Sequence, residues 1–165
     1  SEVFVGVRYF DGGYGIPKDP DKAFRFLRAA AKAGDETADL YLGRCFWDGF
    51  GTSKKRGKSV PHFRRAADRG SAEAFFYLGM ASVFGMTDAQ DAVEESYVFF
   101  AMGAWLKDPA AARQLVGLQE KMNKKSVDRL NNRAKEALEK YNKIWVAYRR
   151  SKTAAAQDAI ARGMN

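Results

Sequence analysis

Three glycines set a period on this chain of 165 residues: Gly6, Gly43 and Gly79 stand 37 and then 36 residues apart. Each lies in a like setting, FVGVRYFDG, YLGRCFWDG and YLGMASVFG, and each is followed six residues later by a second glycine, Gly12, Gly49 or Gly85. A third landmark keeps the same phase. FLRAAAKAG, HFRRAADRG and FFAMGAWLK align Ala30, Ala66 and Gly103, and Ala31, Ala67 and Ala104 beside them. Self-similarity at a period of this length marks units that cannot bury their apolar face alone and so must stack on one another.

Each unit reads as two helices. In the second unit Leu40, Tyr41, Leu42, Phe46 and Trp47 recur at helical intervals, and Gly49 supplies the left-handed residue that ends a helix cheaply. This is helix A. After a loop, Asp19-Pro20 offers a cap and a first-turn proline, and Ala23, Phe26, Leu27, Ala30 and Ala31 form one stripe, which is helix B. A glycine within helix A costs about 1 kcal/mol against alanine, so Gly43 and its equivalents imply close helix packing.

With these residues in place the pattern is similar to the Sel1-like repeat, a relative of the tetratricopeptide repeat. The first unit carries Gly6, Tyr9, Gly12, Gly15, Ile16, Lys18, Asp19, Lys22, Ala23, Ala30, Ala31 and Gly34 in matching places, with one extra residue in the loop Gly12–Gly15. The second unit departs at Lys55, Ser59 and Pro61; the third lacks the second loop glycine and has Ser96 and Gly103 where alanine is usual. The resemblance implies an all-α, right-handed α-solenoid. Units run over about 1–36, 37–72 and 73–108, with a half unit at 109–118 and the repeats covering 1–118.

Val3, Phe4 and Val5 have no earlier unit to pack on, which predicts upstream repeats or an upstream domain. From Ser126 to Tyr148 apolar residues recur every three or four positions, so a capping helix is expected within 119–150. Residues 151–165 are Ala-rich and are expected to fray or to dock on another copy.

Little supports catalysis. The one histidine, His62, stands where Phe26 and Phe99 stand in the neighbouring units, and Cys45 has no orienting Asn or Asp at a suggestive spacing. The stretch DGGYGIPKD has neither a preceding strand nor the Lys-Ser/Thr ending of a phosphate loop. No enzyme, metal or cofactor is expected. One cysteine sets no compartment, and the expectation leans to the bacterial periplasm with a signal or upstream region removed.

A net charge of +8 favours acidic partners. Basic residues gather at Lys54, Lys55, Arg56, Lys58, Arg64 and Arg65, and again between Lys121 and Lys152. No nucleic-acid motif accompanies them.

Repeat packing uses Ala38, Leu42, Gly43 and Phe46, which turns Asp39, Leu40, Arg44, Trp47 and Asp48 toward the concave side or its rim. The equivalents are Arg8, Phe10 and Asp11 in the first unit, and Phe76, Met80 and Val83 in the third. Aromatics and arginine dominate binding hot spots, which singles out Arg8, Phe10, Arg44, Trp47, Phe76 and Met80 as partner-binding residues. The resemblance implies a scaffold, adaptor or regulator holding a protein or peptide in its groove. An inhibitor or immunity protein clasping an effector is the narrower form, and an electrostatic binder of nucleic acid or another polyanion is the alternative of a different class. Self-association is expected through the N-terminal repeat edge or the C-terminal tail.

Overall fold

Five helix starts among the described residues are fixed by short polar side chains. Asp19, Ser71, Asp91, Asp108 and Asn123 each accept a hydrogen bond from the backbone N–H three residues on, at 2.7–3.2 Å, satisfying donors that the first turn leaves free. In the computed structural model, which describes residues 1–163, eight helices follow in order. They are α1 (Glu2–Asp11), α2 (Pro20–Lys32), α3 (Ala38–Asp48), α4 (Arg56–Asp68), α5 (Ala72–Val83), α6 (Ala92–Trp105), α7 (Pro109–Gln119) and α8 (Lys124–Ala161).

The helices pair as hairpins α1–α2, α3–α4 and α5–α6, and each second helix also packs on the first helix of the next hairpin. The odd-numbered helices are the A helices. Closeness within each hairpin rests on the periodic glycine: a Cβ built on Gly6 would lie 2.8 Å from the Leu27 side chain, on Gly43 2.5 Å from Phe63, and on Gly79 2.5 Å from Phe100. Leu27, Phe63 and Phe100 are themselves in repeat phase and fully buried. The propensity cost of a mid-helix glycine is thus offset by a large side chain packed against bare backbone.

The B helices end in phase as well. Gly34 and Gly70 take φ values of 82° and 91°, and in the third unit a non-glycine residue, Lys107, adopts φ 74° at the corresponding bend. A β-carbon in that region is strained, so the third unit holds its turn at a small cost that the other two avoid.

The last helix departs most from the sequence reading. Instead of stopping near residue 150, α8 runs 38 residues to Ala161, about 57 Å at 1.5 Å per residue. It does more than close the open end. Leu130 and Ala134 bury against Tyr97, Phe100 and Ala101 of α6. Further along, Tyr141 and Trp145 pack on Phe75 at ring separations of 4.9 and 6.3 Å, and the Trp145 indole N–H donates to the Ala67 carbonyl at 2.8 Å. Tyr148 and Lys152 then reach Glu36 in the loop between α2 and α3. The helix is a strap laid back across all three hairpins. Beyond Lys152 it is exposed, and it remains helical because alanine, the best helix former, fills positions 154–156. Of the tail, Met164 and Asn165 lie outside the described residues.

Candidate functional site

Arg44 lies where three A helices meet. Its guanidinium sits 4.6 Å from the ring centre of Phe10 on α1 and 5.3 Å from that of Tyr41 on α3, and it pairs with Glu73 on α5 at 3.4 Å. One side chain therefore ties three units together across a single face. Its Nε is buried without a hydrogen-bond partner, so the face holds a desolvated cation among aromatic rings.

Around it stand half-buried side chains of the A helices. Tyr77 stacks on Phe63 at 4.5 Å, Phe76 packs edge-on to Tyr77 at 5.1 Å, and Met80 lies beside them. Arg8 is held between Phe4 and Tyr14, at 4.8 and 4.4 Å, at the outer rim of the first unit. Carboxylates complete the face. Burial pushes the Glu73 carboxyl above its ordinary value, the Arg44 charge opposes this, and nearby Asp108 and Asp11 add to the rise.

Arg8, Arg44, Phe76 and Met80 are thus partly accessible, whereas Phe10 and Trp47 are 8% and 6% exposed. Trp47 differs from the expectation that it faces a groove. Its indole is enclosed by Phe63, Tyr77 and Phe84 and lies under the Arg56 guanidinium at 5.0 Å, so it fixes the second unit to the third. Phe10 likewise belongs to the core of the first two units, with only its ring face offered to Arg44.

The basic run divides. Arg56 is spent on Trp47 and on Phe84, 4.4 Å away, and Arg65 on Asp39, while Lys54, Lys55, Lys58 and Arg64 stay exposed. Most of the chain's charge lies elsewhere: α8 carries ten Lys and Arg against four Asp and Glu.

Asp39 also departs from the groove expectation. It is 6% exposed and turned toward α4, where it accepts from Arg65 Nε at 3.0 Å, lies 2.9 Å from His62 Nδ1, and pairs with Arg69 at 3.4 Å. Burial pushes its carboxyl up, but the bonds from His62 and Arg65 outweigh this and hold it below the ordinary carboxylate value. The orienting carboxylate that spacing did not suggest for His62 is therefore present. The imidazole also stacks on Phe46 at 5.7 Å, as Phe26 stacks on Tyr9 at 6.0 Å in the first unit, so His62 fills the aromatic position of the repeat. Cys45 is fully buried in another cluster, its thiol pushed up by burial to about 12.

Residues 1–35 and 37–71 each match the family model of the Sel1 repeat. The first two hairpins are Sel1 repeats. A Sel1 repeat protein from Oxalobacter formigenes is similar over 69% of this chain and 46% of its own length, with 30% identity and a TM-score of 0.59. A protective antigen of uropathogenic Escherichia coli displaying an SLR fold covers 90% of this chain and 40% of its own, with 17% identity and a TM-score of 0.63. This Sel1-like chain therefore spans less than half the length of either solved structure. No curated protein matches it. Sel1-like repeat proteins act as protein-interaction scaffolds, and no helix described here is long and apolar enough to cross a membrane.

Proposed function

We propose that this chain is an interaction scaffold that holds a partner protein on the face formed by its A helices. The observation that carries the reading is Arg44, a half-buried cation gripped by Phe10, Tyr41 and Glu73 from three successive units and flanked by accessible tyrosine, phenylalanine and methionine. Arginine and large aromatics, fixed in place before binding, are the residues from which hot spots are made. The opposite side is less suited to this role, since α8 covers much of it, α2 and α4 expose chiefly lysine and arginine, and α6 has neither.

Photo-crosslinking in the source cell tests this. With p-benzoylphenylalanine at Tyr41 or Phe76 the same protein should be captured from both positions, and from neither Arg28 on α2 nor Lys58 on α4. Capture from Arg28 and Lys58 with none from the A-helix positions would refute it.

A further inference from the structure

We infer that the segment received by the A-helix face is basic, carrying lysine or arginine beside an apolar residue, although the chain as a whole is itself strongly cationic. The inference rests on the scaffold reading and adds the partner's chemistry.

The local charge is opposite to the global one. Asp11 ends α1 and Asp48 ends α3, at the same place in successive repeats, and both are exposed. Among the described residues neither forms a salt bridge. Both stand on the Arg44 face. Asp11 acts on Tyr41, Arg44 and Glu73, and Asp48 acts on Tyr77. Glu73 and Asp11 thus act on Arg44 itself, while Asp48 lies one helical turn beyond it on α3.

Two features show that folding does not ask for these carboxylates. The C-terminus of a helix carries negative partial charge, so an aspartate as its last residue is disfavoured, and α3 has no basic residue in its last turn to compensate. Elsewhere the same chain puts its aspartates to structural use at helix starts, as with Asp19, Asp91 and Asp108. The carboxyl of Glu73, moreover, is only partly served by Arg44, whose Nε has no acceptor and whose charge is shared with two rings. An incoming cation lying between Asp11 and Asp48 would meet two free carboxylates, with Tyr41 and Tyr77 available to its aliphatic stem and Phe76 and Met80 to a neighbouring apolar side chain.

The test uses the full chain and two fluorescein-labelled peptides of equal length, with tyrosine and leucine at the same positions and either Lys/Arg or Glu between them. Anisotropy at physiological ionic strength should show binding of the basic peptide alone. It should weaken about tenfold in an Asp11→Asn, Asp48→Asn variant, the loss of one or two charge-assisted contacts. The variant's melting temperature should be unchanged or higher, because a dipole clash is removed. A lower melting temperature would mean that the carboxylates serve the fold, and would overturn the inference. Binding of the acidic peptide, binding of neither, or equal binding by the variant would overturn it too. If crosslinking from Tyr41 and Phe76 persists in those cases, the scaffold reading stands and only the partner's charge is wrong.

Discussion

Replacing Gly79 with valine is expected to destabilise the chain by about 3 kcal/mol, although helix propensity alone predicts a gain of several tenths of a kcal/mol. The reason is the Phe100 ring, 1% exposed, whose Cε1 and Cδ1 would lie 2.5 and 2.6 Å from the new Cβ. The ring has nowhere to go: it shares a buried cluster with Tyr97 and Ala101 of its own helix and Ala134 of α8, and Phe76 lies on it at 6.2 Å. Overpacking of a filled core ordinarily costs about 1–3 kcal/mol, and a β-branched side chain pressed on a ring belongs at the upper end. Urea denaturation measures it. Phe100→Leu, which gives the third unit the pairing that Gly6 and Leu27 make in the first, should return part of the loss, so the double-mutant cycle has a favourable coupling. A Gly79→Val protein as stable as the parent would mean that the hairpin is not closed by this contact.

The second large effect is expected at Trp145. Truncation to alanine empties a site walled by Phe75 and Tyr141 and leaves the Ala67 carbonyl with the Gly70 N–H as its one remaining donor outside the helix, which together should cost about 3–5 kcal/mol. For a chain of this size that is a fall in melting temperature on the order of 10 °C. Because Trp145 is the point where the strap grips the junction of the second and third hairpins, hydrogen exchange should rise along α8 from Tyr141 onward before it rises in α3 or α4. A loss below about 1 kcal/mol would make α8 an appendage, whatever its contacts.

The contrast between these two sites shows what the sequence makes legible. Gly79 and Phe100 recur as Gly43 and Phe63, and repetition turns a tertiary contact into a visible pattern. Trp145 has no counterpart. Its apolar spacing announces a helix but not what that helix lies on, because the partners, Ala67 and Phe75, are separated from it by 70 residues or more of chain. The end of α8 was hidden for another reason. An apolar stripe that stops at Tyr148 marks where packing stops, whereas the helix continues on alanine propensity alone.

Trp47 and Asp39 show the limit of reading a face by exclusion within one hairpin. Trp47 is needed between hairpins, and Asp39 is needed within its own for polar contacts that apolar spacing does not announce. Trp47 packs on Phe84 and Tyr77 of the next unit, and Asp39 gathers His62, Arg65 and Arg69 of its own second helix and the bend after it. Arg44 stands out in the sequence as an arginine among aromatics, the composition of hot spots, but its spacing does not show that it ties three units together. Tyr41 and Tyr77, which complete its surroundings, were not singled out. Each lies within an apolar run that gives no hint of which ring keeps an edge in solvent.

All of this depends on hairpins that close in the same way at each period and stack side by side. A NOESY spectrum of the folded chain reads that arrangement directly. Cross-peaks are expected from the Gly43 Hα protons to the Phe63 ring and from those of Gly79 to the Phe100 ring, with both glycine signals displaced upfield by the rings, and from Gly6 to the Leu27 methyls. Glycine protons at ordinary shifts that see only their own helix would contradict it, and the repeat would then have no structural meaning.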